Sequence, residues 1–203
     1  MRIRLGLLSF VIALGGLVGS AVAATAWDES GDGDLSNDPN APTPVSLVAG
    51  SNIVSGTVTS SSGDTRDYLT FSIPSGFGLF GLKLLQWDDP APNTPGNTGF
   101  NGIHPGASSA IPDGITINGF LGANHVVSGF EGTDILPGIA AAPFGGTGFS
   151  VPLAEGTYTY LVQQTGSQTD IYSLNFRMLA IPEPATLALA CLGLAGLGWQ
   201  RRR

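Results

Sequence analysis

The chain begins and ends in apolar blocks and alternates between them. Leu5–Val18 and Ala185–Trp199 are apolar runs without a charge, whereas the stretch between carries its apolar residues in short pieces with a period of two. That period puts every second side chain on one face of an extended strand. In Asp67–Ile73, Leu69, Phe71 and Ile73 alternate with Tyr68, Thr70 and Ser72. Near the end, Tyr158, Tyr160 and Val162 alternate with Thr157, Thr159 and Leu161, and Tyr172, Leu174, Phe176 and Met178 alternate with Ser173, Asn175 and Arg177. The polar link Gly166–Asp170 joins these last two runs, which predicts an antiparallel hairpin. Asn52–Thr59, with Ile53, Val54 and Val58, and Ile115–Phe120 read as further strands. Phe77–Trp87 is the most apolar run, with Phe80, Leu82 and Leu84 on one side and Leu79, Leu85 and Trp87 on the other. It predicts a central strand covered on both faces and interrupted at Gly78 and Gly81.

The breaks between these runs are turn chemistry. Ser60–Asp64 and Pro74-Ser75-Gly76 are compact turn signals. Asp88–Pro112 holds five prolines and reads as one long loop, and Gly122–Ser150 is glycine-rich with short apolar pieces. Trp27–Pro44 is polar and acidic, with Trp27 and Leu35 its main apolar residues, and reads as an extended segment outside the core. No helical stripe longer than two turns occurs between Ala24 and Ile181. The expected fold is all-β, an antiparallel β-sandwich or jelly roll, flanked by an N-terminal signal helix and a C-terminal transmembrane helix.

Composition agrees. Charged residues are 11% of the chain, less than half the usual ~25%, which disfavours long solvated helices. From Ala24 to Ile181, three basic residues (Arg66, Lys83, Arg177) face fourteen acidic ones, a balance of −11. Such a body repels phosphate backbones, so nucleic-acid binding is excluded as its main activity. The single cysteine, Cys191, lies in the C-terminal apolar run, so neither an intramolecular disulfide nor a cysteine-ligated zinc site can form.

Both ends read as addresses. Arg2 and Arg4, the apolar Leu5–Val18, and then Ala21-Val22-Ala23 follow the order of a secretory signal peptide. Cleavage by signal peptidase is expected after Ala23, or after Ala26, where Ala24-Thr25-Ala26 also fits. At the other end, Pro182-Glu183-Pro184 precedes Ala185–Trp199, and the chain closes on Arg201-Arg202-Arg203. The prolines hold the chain extended outside a membrane. Fifteen helical residues reach about 22 Å against a hydrocarbon core of ~30 Å, short for a permanent span. The arginines favour the cytoplasmic side, which places the acidic body across the membrane.

This order of proline motif, glycine-bearing apolar segment and terminal arginines resembles the PEP-CTERM sorting signal. The resemblance implies processing by exosortase, an integral-membrane transpeptidase-like enzyme of Gram-negative bacteria that make exopolysaccharide. It further implies export across the inner membrane, transient anchoring there by the tail, and release or transfer to the cell surface or the extracellular space. The implied organisation is a signal peptide at 1–23, an acidic extended leader at 24–45, a β-sandwich at 46–180, and a sorting signal at 181–203 with its transmembrane helix at 185–199. The body carries a second likeness. Asp64–Gly76, and Leu153–Thr159 followed by Tyr172–Phe176, are similar to the two ends of the bacterial pre-peptidase C-terminal domain. That resemblance implies a small β-sandwich with an accessory binding role.

The chain lacks the common catalytic signatures: no G-x-S-x-G, H-E-x-x-H or phosphate-binding loop occurs. His104 and His125 lie in turn-rich regions, and Asp88-Asp89 suits a turn better than a pair of catalytic carboxylates. Tyr158, Tyr160 and Trp87 could stack on sugar rings, although alternation favours the core. Asp28, Ser30, Asp32 and Asp34 offer oxygens at alternate positions around Gly31 and Gly33, a candidate calcium loop, although Pro39 stands where an EF-hand needs its bidentate glutamate. The alternative for these residues is a solvated acidic leader. The expected function is that of an exported surface or matrix protein, structural, adhesive or ligand-binding, with no catalysis and with extracellular polysaccharide as a candidate partner. The competing reading is a secreted hydrolase of polysaccharide or peptide.

Overall fold

The computed structural model describes residues 23–60, 63–88, 98–109, 119–166 and 168–182. The strands are β1 (Ala24–Asp28), β2 (Thr43–Pro44), β3 (Gly50–Thr59), β4 (Arg66–Ile73), β5 (Phe77–Asp88), β6 (Gly99–Pro105), β7 (Gly122–Val126), β8 (Gly156–Gln164) and β9 (Thr169–Ala180). Two short helices, α1 (Glu29–Asp32) and α2 (Leu136–Ala140), complete the described elements. One sheet has the order β1-β3-β9-β5 and the other β2-β4-β8-β6-β7. Their inner faces share one core: Phe176 of β9 meets Phe71 of β4 at 5.5 Å and Tyr160 of β8 at 5.4 Å between ring centroids. This is the arrangement of a β-sandwich.

The alternation predicts β4 and β9 well. Leu69, Phe71 and Ile73 turn inward from β4, and Tyr172, Leu174, Phe176 and Met178 from β9. The expected hairpin between the last two runs does not form. β8 is central in one sheet, pairing β4 and β6, and β9 is central in the other, pairing β3 and β5. The chain therefore passes from one sheet to the other between β8 and β9 instead of pairing the two runs within a sheet.

β5 also departs from the prediction, because it is an edge strand with one buried face. Its register shifts between Leu79 and Gly81 and again between Leu84 and Gln86. Each shift adds a residue and reverses the facing of those that follow. Leu79, Leu82, Leu84 and Trp87 therefore all reach the core, while Leu85 is exposed. β6 lies inside the stretch expected to be one long loop. Its Gly99 and Gly102 allow Trp87 and Phe120 to cover the strand closely. Residues 89–97 and 110–118, which hold most of that loop's prolines and the expected strand at Ile115–Phe120, lie outside the description.

The acidic leader is part of the fold rather than an extension of it. β1 adds to the free edge of β3 and β2 to the free edge of β4, both in parallel. These are the exceptions to an otherwise antiparallel sandwich, in which the remaining pairings are antiparallel. Leu35 and Val45 are buried. Ser36 bridges to Tyr68, whose amide donates to the Ser36 carbonyl at 2.8 Å. The segment thus straps one edge of each sheet, a common way of protecting unpaired strand edges. Among the described residues no helix is long and apolar enough to cross a membrane. The expected signal helix and the span 185–199 lie outside them.

Candidate functional site

The strap carries acidic groups over the open side of the sandwich, and three inward positions receive them. Along β3, Gly56 shares the inward face with Val54 and Val58. It pairs with Tyr172 of β9. Along β4, Asp67 occupies the inward phase of Leu69, Phe71 and Ile73 and is fully buried. Glycine is needed at 56, because a Cβ there would stand 2.6 Å from the Glu29 carboxyl carbon and 2.7 Å from Tyr172 Oη.

Glu29 of α1 fills that gap. Its Oε1 accepts from the Leu35 amide at 3.0 Å and its Oε2 from the Thr57 amide at 2.8 Å. It thereby joins the leader to β3. Tyr172 Oη donates to Asp67 Oδ2 at 2.6 Å, while Asp67 Oδ1 is buried with no hydrogen-bond partner. One carboxylate oxygen from each of Glu29, Asp34 and Asp67 lies within 4.8 Å of the others. An open cleft of about 520 Å³ adjoins them, lined in part by Glu29, Ser30, Asp34, Ser55, Thr57 and Tyr172.

The electrostatics of the group are unfavourable to full ionisation. Burial, then the like charge of Glu29, push the Asp67 carboxyl up to about 9, against the opposing bond from Tyr172; Asp64 and Asp34 add further like charge. Burial raises Glu29 as well, although the Leu35 and Thr57 amides counter it. Asp64, also raised by burial, accepts from Asn37 Nδ2 at 3.1 Å. Burial, with Asp67 next, holds the Tyr172 phenol well above its usual range. The donor set is all oxygen, the preference of a hard divalent cation.

The four residues expected to form a calcium loop have different places. Asp28 Oδ1 accepts from the Ser30 amide at 3.1 Å and from Ser30 Oγ at 2.8 Å, capping α1. Asp32 Oδ2 accepts from the Asp28 amide at 2.9 Å. Asp34 is the member of that set that joins Glu29 and Asp67. Local spacing in the leader pointed to Asp34, but Glu29 and Asp67 were missed. The available signal was an acid in phase with Leu69, Phe71 and Ile73.

Other candidates take structural positions. Trp87, Tyr158 and Tyr160 are core residues, which removes them as stacking platforms for sugars. His104 stands edge-on to Phe120 at 5.8 Å. His125 lies between Phe100 and Phe144, at 5.2 and 4.8 Å, with Nδ1 3.3 Å from the Gly99 carbonyl oxygen. Asp88 accepts from the Gln86 side chain, and Asp89 lies outside the described residues.

At the C-terminal end, β9 runs into Ile181, whose amide donates to the Gly76 carbonyl at 2.8 Å, and then to the exposed Pro182. Glu183, Pro184 and Arg201–Arg203 lie outside the description, as do Ala21 and the rest of the signal segment before Ala23. The described body is a two-sheet β protein. The family model of the PEP-CTERM protein-sorting motif matches residues 180–203. The motif marks the chain as exported, held transiently in a membrane and processed by exosortase. No curated protein matches the chain.

Proposed function

We propose that the protein is a non-catalytic component of the cell surface or extracellular matrix, acting through structural, adhesive or ligand-binding contacts of its β-sandwich. The sorting motif directly after the last core strand carries this reading, since it delivers the body to the outside of the cell. The acidic balance of the body and the absence of common catalytic signatures support it. The likeness to pre-peptidase C-terminal domains fits an accessory binding role, with extracellular polysaccharide as the partner. Signal peptidase removes residues 1–23, and exosortase cuts near Pro182-Glu183-Pro184 after the tail has held the chain in the inner membrane.

Mass analysis and fractionation of the mature protein test this proposal. The expected result is a surface or matrix species beginning at Ala24 and lacking Arg203, replaced by a membrane-bound, tail-bearing species when exosortase is deleted. An intact Arg203 in the wild type, unchanged by the deletion, would overturn it. So would turnover of polysaccharide or peptide by the purified protein that is lost on replacing His104 or His125.

A further inference from the structure

Two observations about the carboxylate group converge on a ligand. The first is geometric: Glu29 and Asp34 come from the strap and Asp67 from β4, and their oxygens meet within 4.8 Å. The second is an unmet valence. Asp67 is fully buried, its Oδ2 is satisfied by Tyr172, and its Oδ1 has no partner. An acceptor buried without a donor is costly, and a natural protein keeps one for a reason such as a bound ion. Glu29 and Asp34 bring two further carboxylates to Asp67, and a bound cation would neutralise the like charge of the three. Access exists, because Asp34 is exposed and the adjoining cleft is open.

We propose that Glu29, Asp34 and Asp67 bind one calcium ion that fastens the N-terminal strap to both sheets of the sandwich. Three carboxylates, two from the strap and one from β4, supply hard oxygen ligands without the regular octahedron that magnesium requires. Water from the cleft and the hydroxyls of Ser30 and Thr57, which line it, can complete a coordination number of about six to eight. Glu29 reaches β3 through the Thr57 amide, and Asp67 reaches β9 through Tyr172. The ion would therefore join the strap, β3, β4 and β9 at one point. The site depends on folding alone and not on how the chain is sorted.

Calorimetric titration of the full-length protein in detergent with calcium chloride, after treatment with chelator, tests the site. One ion should bind per chain, and a hundredfold excess over Kd should raise the melting temperature by about 5–10 °C. Asp34→Asn, at an exposed position, should fold normally and lose at least tenfold in affinity. Asp67→Asn should lose most of the binding while retaining an acceptor for Tyr172. No calcium heat with an unchanged melting temperature overturns the proposal, as does undiminished binding by Asp34→Asn. Equal affinity for magnesium overturns the assignment to calcium.

Discussion

Removing the Tyr172 hydroxyl isolates a fully buried polar contact of the core. In Tyr172→Phe the ring can stay in place, stacked near Trp87 with centroids 6.4 Å apart. The change removes the 2.6 Å bond to Asp67 Oδ2, and because Oδ1 has no partner, both carboxyl oxygens then lack a protein donor. A buried hydrogen bond contributes about 0.5–1.5 kcal/mol net, and stranding a buried acceptor costs about 1–3 kcal/mol. The expected destabilisation in chelator is therefore about 2 kcal/mol, or roughly 4–8 °C in melting temperature for a chain of this size. Urea unfolding followed by circular dichroism measures it, and a double-mutant cycle with Asp67→Ala, which removes the acceptor, separates the contact from general effects on packing. The amide variant Asp67→Asn instead keeps an acceptor while removing like charge beside Glu29, so alone it should be neutral or stabilising without calcium. A Tyr172→Phe protein within about 0.5 kcal/mol of wild type, with no coupling in the cycle, would refute the role given to this bond.

Two further outcomes follow from the packing. A Cβ at Gly99 would lie 2.1 Å from the buried Trp87 ring, so Gly99→Ala should cost at least about 1–3 kcal/mol, read as a lower melting temperature; an unchanged value would contradict the close approach of β6 to β5. Burial holds His104 below its ordinary value of 6.5, so the unfolded chain binds the proton more readily than the fold. Its contribution is complete above that value and is lost as pH falls below it towards the folded pKa, so His104→Gln should remove that component, on which the opposite slope from Asp67 is superimposed. Stability profiles of wild type and His104→Gln that run parallel below pH 6.5 would count against a neutral, packed imidazole.

Strands with one clean inward phase were legible in the sequence. β4 and β9 follow their alternation because an inward apolar face and an outward polar face leave a single register. β5 was not legible as an edge, since two register shifts put Leu79, Leu82, Leu84 and Trp87 on one side where strict alternation divides them. The false hairpin of β8 and β9 came from treating adjacency along the chain as adjacency in a sheet. The strap was hidden by its composition: β1 and β2 are held by backbone pairing, which leaves little hydrophobic signal. The carboxylate group was half visible. Asp34 belongs to a local acidic pattern, whereas Glu29 and Asp67 meet only after β3 and β4 have entered different sheets.

The last core strand has a mechanical consequence for the finished protein. β9 is bonded along its length to β3 on one side, from Gly50–Met178 to Thr59–Thr169, and to β5 on the other. It leads through Ala180 and Ile181 straight to Pro182. A pull from that end runs parallel to the strand and loads two ladders in shear, so many bonds must yield together rather than one after another. A body attached or processed there would resist extraction by flow or by a membrane enzyme, as a wedge driven into its own grain resists a tug along its axis.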